Sequence, residues 1–169
     1  MGRLQLDTKD RQLLDLLQRD ARQSLETLAG EVALSAPAVQ RRIKRLREAG
    51  VIEREVAVVD PAAVGLPMTF VVIVELERES ADQIDAFRRK VIAEPQVQQG
   101  YYVTGEGDFV IVAVARDMDD FEALTRKLFF DDPNVRRFRT SVAMGKAFRS
   151  LNVPAGYAGT IAGQDPPHG

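Results

Sequence analysis

The sequence predicts an α+β chain in two parts: three short helices, then a sheet-and-helix unit of order β-α-β-β-α-β. Three observations predict this. Up to about residue 50, leucine and valine recur at helical spacing, and a capping residue stands at each restart. From about residue 68, strand-sized apolar runs alternate with two helix-length amphipathic stretches. Between the two patterns, Asp60-Pro61 and Gly65-Leu66-Pro67 punctuate the chain. At 169 residues, with 45% hydrophobic and 28% charged residues, the chain has room for two small domains. We place them at 1–60 and 61–151, with a flexible Gly/Pro-rich tail at 152–169.

In the first part, Asp7 and Asp10 put acids at the start of a helix whose Leu13, Leu14, Leu16 and Leu17 form an apolar stripe. Ser24 caps a second helix with Leu25, Leu28, Ala29 and Val32 on its buried side. Ala33-Leu34 turns the chain, and Ser35 caps a third helix with Pro37 in its first turn, where a missing N–H costs nothing. Val39, Ile43 and Leu46 point inward from it, and Gly50 ends it. Val51-Ile52 and Val56–Val59 are strand-like, which predicts a winged form of the three-helix unit.

In the second part, the expected strands are 68–76, 97–104, 109–115 and 135–144, and the expected helices are 81–93 and 118–130. Ser80 with Gln83 suggests a capping box, and Asp117 with Asp120 marks the second helix start. Two β-α-β halves in tandem suggest a ferredoxin-like sandwich. Strands 68–76 and 109–115 are apolar on both faces, so they are central and covered on both sides. Two helices cover one face only. The simplest cover for the other is the same sheet of a second copy, which predicts a homodimer.

The third helix also carries an outward pattern. On a wheel of 100° per residue, Pro37, Ala38, Arg41, Lys44 and Arg45 lie opposite the inward residues, flanked by Gln40, Arg42 and Arg47. Five of the eleven Lys/Arg of residues 1–59 fall between Arg41 and Arg47, although the whole chain carries a net charge of −2. A charged helix face is by itself an ordinary solvated surface. This one has no acid from Ala36 to Arg47 and follows two capped helices at helix-turn-helix spacing, so it points to double-stranded DNA. Gln40 and Arg41 suit base edges, while Lys44, Arg45 and Arg47 suit phosphates. Ser24, or the first N–H groups of its helix, would brace the DNA backbone.

Several runs resemble the Lrp/AsnC family of transcription regulators in one register from about residue 5 to 154. Leu34-Ser35, Arg42-Ile43-Lys44-Arg45-Leu46 and Gly50-Val51-Ile52 are similar to the family's central run. Leu6, Asp7, Asp10, Arg11 and Leu14, then Leu17-Gln18, Asp20, Arg22 and Ser24, are similar to its opening helix. Val103-Thr104-Gly105, Asp108-Phe109, Thr140-Ser141 and Lys146 are similar to its sensor domain. Ala21, where Gly is common, and Pro133-Asn134, in place of Pro-Gly, depart from the pattern. The resemblance implies dimers that build octamers, and an amino acid or related metabolite bound near a loop at contacts between dimers.

That loop is Gly105-Glu106-Gly107-Asp108. Its residues make an ordinary hairpin turn. They also offer backbone N–H groups to a carboxylate and Asp108 to an ammonium, the two charges of an amino acid. By position, the effector residues the resemblance implies are Tyr102, Gly105, Gly107, Asp108, Thr140 and Ser141. Tyr102 reads equally as a packed edge aromatic, and Thr140 and Ser141 as plain sheet residues.

What the sequence lacks narrows the field further. It has no cysteine, and its one histidine is His168, so no disulfide, thiolate, imidazole-metal or His-based catalytic site is expected, and no cofactor is implied. No apolar run approaches membrane length and the first residues lack a secretory pattern, so a cytoplasmic, non-membrane protein is expected. Two rivals are weighed beside the regulator: a small dimeric αβ-barrel enzyme, which leaves the first 50 residues unexplained, and a ferredoxin-like small-molecule sensor that binds a protein rather than DNA.

Overall fold

The computed structural model describes residues 4–145 and 151–156. The described residues form two compact units, one from the residues up to Ala57 together with 151–156, the other from Val58 to Gly145. Lys146 and residues 157–169 lie outside the described residues.

The first unit holds α1 (Thr8–Arg19), α2 (Leu25–Val32) and α3 (Ala36–Glu48). Its boundaries follow from capping chemistry. Asp7 accepts from the Asp10 amide at 2.8 Å, and Asp10 accepts in return from the Asp7 amide at 3.2 Å, so two otherwise orphaned N–H groups are satisfied. Ser24 caps α2 through the Thr27 amide, and Ser35 caps α3 through the Ala38 amide. Ala33 ends α2 in the left-handed region at φ 50, which lets the chain turn sharply into α3. Leu13, Leu28, Ala29, Val32, Val39 and Ile43 close a common core.

The expected wing is absent from the described residues: no strand lies between Gly50 and Pro67. Val56, Val58 and Val59 are 62%, 79% and 55% exposed. β-branched residues favour extended backbone, but a strand also needs a neighbour to take its N–H and C=O groups, and none pairs with this stretch. Within residues 152–156, read from composition as the start of a flexible tail, Val153 and Ala155 are hydrogen-bonded to α1.

The second unit is a four-stranded antiparallel sheet of order β2-β3-β1-β4, made of β1 (Met68–Leu76), β2 (Val97–Tyr102), β3 (Phe109–Ala115) and β4 (Val135–Val142). The two strands that are apolar on both faces, β1 and β3, are central. The helices α4 (Ala81–Ile92) and α5 (Met118–Thr125) close one face over Phe70, Val72, Val74, Phe109 and Ile111. Phe70 stacks on Phe121 with centroids 3.7 Å apart. A π-helical turn, Arg126–Phe130, extends α5. On the opposite face Val71 pairs with Val112 and Ile73 with Val110, and Val71 is 36% exposed.

Two local expectations turn out differently. The Ser80–Gln83 capping box does not form, since the Ser80 side chain makes no cap bond and only its carbonyl receives the Ile84 amide. The segment before α4 is held by Asn134 instead. Its side chain accepts from the Arg78 amide at 3.0 Å and donates to the Arg78 carbonyl at 3.1 Å. Asp117 does cap α5, through the Asp120 amide at 2.8 Å.

Candidate nucleic-acid interface and effector loop

Helix α3 stands on Val39, Ile43 and Leu46, all buried, so its opposite side faces outward. Gln40, Arg41, Lys44, Arg45 and Arg47 are exposed there, and Pro37 is exposed in the first turn. Ala38 is half-buried, and Ser24 and Ser35 spend their hydroxyls on the capping bonds described above.

The cations divide into two groups by their partners. Arg42 donates to Asp7 and to Asp10, both at 2.7 Å, and Arg45 donates to Asp10 at 2.6 Å. The Asp10 side chain is fully buried. A buried carboxylate is tolerated only when its charge is met and its lone pairs are filled. Two guanidiniums and the Asp7 amide meet that demand. Arg42 therefore works first as a strut between α1 and α3. The Asp7 carboxyl is held below the usual aspartate range, chiefly by the Asp10 amide and next by the Arg42 guanidinium.

Arg47 pairs with Glu55 at 2.6 Å, and Lys44 makes only a long contact to Glu48, at 3.7 Å. Arg41, by contrast, makes no ion pair with any described residue. It is the cation on α3 most available to a polyanion.

Sequence reasoning read Asp7 and Asp10 only as first-turn acids. The signal for their second role was the i, i+3 spacing of Arg42 and Arg45, which puts both on one side of α3.

In the second unit the 105–108 loop is stitched to β1. The Asp108 amide donates to Val74 O at 2.9 Å, and one Asp108 carboxylate oxygen accepts from the Leu76 amide at 2.6 Å. Gly107 is buried, and a Cβ there would meet Ile73 Cγ2 at 2.5 Å and Val74 O at 3.1 Å. Gly105 is at φ +130 with open space around it, so the glycines are needed for different reasons, close approach at 107 and conformation at 105. Arg139 reaches the loop from β4 and donates to the Glu106 carbonyl at 3.2 Å and its carboxylate at 3.3 Å. Sequence reasoning passed over this arginine.

The remaining effector candidates divide between the two faces of the sheet. Tyr102 pairs with Phe109 and packs on its ring at 5.3 Å, on the helix-covered side. Thr140 pairs with Val72 and shares that side, whereas Ser141 pairs with Val71 on the open side. Among the described residues no His/Cys/Asp/Glu group has the makings of a metal site.

A trihelical unit with an outward cationic helix, joined to a ferredoxin-like sheet with a tightly held glycine loop, defines the class of two-domain transcriptional regulators. The chain belongs to the Lrp/AsnC family: residues 6–47 match the AsnC-type helix-turn-helix domain and residues 69–153 the Lrp/AsnC ligand binding domain. It is 43% identical over 151 residues to an uncharacterized HTH-type transcriptional regulator of Sinorhizobium fredii, covering 89% of each chain. It is 32% identical to the leucine-responsive regulatory protein of Rhizobium meliloti, covering 84% of this chain and 91% of that one.

Among solved structures, a Neisseria meningitidis transcriptional regulator in complex with L-methionine superposes with a TM-score of 0.84 at 26% identity, over 91% of this chain and 99% of that one. An AsnC family regulator of Agrobacterium tumefaciens gives 0.84 at 28% identity, over 90% and 99%. The chain is thus a DNA-binding regulator of transcription, and the enzyme reading is set aside.

Proposed function

We propose that this regulator reads operator DNA with α3 and adjusts that binding to an amino acid or closely related metabolite. The observation that carries the reading is the outward side of α3, where Arg41 makes no ion pair with any described residue and Lys44 makes only a long one, on a helix tied to α1 through Asp10. In this reading Gln40 and Arg41 contact bases, with Pro37 and Ala38 allowing close approach. Lys44, Arg45 and Arg47 contact phosphates, and Ser24, Ser35 and Arg42 position the helices.

The effector is taken near Gly105, Gly107 and Asp108, with Tyr102, Thr140 and Ser141 near by. The L-methionine complex of the Neisseria relative and the name of the leucine-responsive relative support an amino acid. Homodimers form through the open face of the sheet and assemble further, up to octamers. The domains run 1–60 and 61–151, and the protein works in the cytoplasm. No helix among the described residues is long and apolar enough to cross a membrane.

The reading is tested by pulling down bound chromosomal DNA with the native chain and with Arg41→Ala. Discrete enriched fragments that disappear with the variant are expected. Equal enrichment from both would contradict the assignment of α3.

A further inference from the structure

One face of α1 is occupied by something other than the helical core. Arg11, Asp15 and Gln18 lie at i, i+4 and i+7, a stripe turned away from Leu13 and Leu16. All three side chains are spent on the backbone of two residues near the C-terminus. The Gln18 amide donates to Val153 O at 3.0 Å and accepts from Val153 N at 2.7 Å. Asp15 accepts from Ala155 N at 3.1 Å, and Arg11 donates to Ala155 O at 2.7 Å. Gln18 holds Val153, while Asp15 and Arg11, three and seven residues earlier on the same helix face, hold Ala155. Pro154, between the bonded pair, has no N–H to satisfy and biases Val153 towards extended backbone.

From this geometry we infer that α1 carries a docking site for peptide backbone, and that its occupant is the chain's own segment Asn152–Gly156, which ends in a turn at Ala155 and Gly156. All four of these bonds go to main-chain groups, so at Val153 and Ala155 the segment is held by its backbone. Arg11 and Asp15 supply charge-assisted bonds, stronger than neutral ones. Since α1 also holds Asp10, the strut beneath α3, the segment fixes the far side of the helix that positions the DNA-reading element. The DNA-binding unit is thereby held at its C-terminal as well as its N-terminal sequence. This inference concerns α1 alone and is independent of the identity of the effector or the operator.

The test is hydrogen exchange and limited proteolysis on the full chain. Val153→Pro and Ala155→Pro each remove one donated N–H and leave every side chain of α1 intact, while Val153→Ala keeps all four bonds. Exchange in 151–156 is expected to speed up roughly fivefold per bond lost in the proline variants, with faster cleavage after the segment, and to stay near native in Val153→Ala. Equal protection in all three would overturn the proposal. So would restored protection when a chain carrying Arg11→Ala, Asp15→Ala and Gln18→Ala is mixed with one carrying both prolines. Only a segment supplied by a second copy can rescue that pair.

Discussion

Asp10 sets the chemistry of the first unit. Its carboxylate is fully buried and receives Arg42 and Arg45 from α3. Two neighbouring arginines of one basic run therefore do different work. Arg42→Ala strips one partner from a buried charge and is expected to destabilise the first unit by about 2–3 kcal/mol. Arg41→Ala removes an exposed cation that makes no ion pair among the described residues and is expected to leave the melting temperature within a degree or so of native while weakening DNA binding. Thermal unfolding of both variants separates the roles, and equal melting temperatures would count against the strut. At Gly107 the decisive quantity is space. An added methyl meets Ile73 Cγ2 at 2.5 Å, so Gly107→Ala should cost about 1–3 kcal/mol. Gly105→Ala meets no atom and should lose only what its positive φ requires, about 1 kcal/mol. Chemical denaturation of the pair measures the difference, and Gly107→Ala as stable as native would show that β1 yields.

Elements were legible wherever local chemistry decides. Helices α1, α2 and α3 start at Asp7, Ser24 and Ser35 because each side chain satisfies an amide that the helix cannot. Strands β1 and β3 declared their central position by being apolar on both faces. Where a partner decides, the sequence misled. Val56–Val59 has the composition of a strand but no neighbour to pair with among the described residues. Ser80 has the spacing of a cap, but Asn134, more than 50 positions along the chain, holds the segment instead. The effector loop reads as a hairpin in sequence, and its ties to Val74, Leu76 and Arg139 appear only after the sheet forms. The α1 cap also has a pH signature. Asp7 has a folded pKa below its unfolded value, so it favours the folded state above the ordinary aspartate range near 3.9 and loses that contribution as pH falls through the folded value. The first unit should therefore weaken below about pH 4, and Asp7→Asn should make its unfolding less sensitive to acid there. An unchanged acid profile would show that the cap carries no such linkage.

At the scale of the whole molecule, two exposed features need partners. The open face of the sheet presents Val71, Ile73, Val110 and Val112 in register, and apolar residues paired this way on an uncovered face suit a second sheet. Val112→Glu puts a charge at the centre of that face and should shift the sedimentation of the protein towards monomer. Unchanged sedimentation would contradict the proposed dimer through this face. The other feature is α3, and the account turns on it. The most direct measurement is the affinity for a labelled mixed-sequence duplex across a range of salt concentration. Counterion release predicts a log affinity that falls linearly with log salt, and a slope that flattens by about one for each phosphate contact removed in Arg41→Ala and Lys44→Ala. A slope and an affinity that both substitutions leave untouched would mean that DNA meets some other surface of this protein.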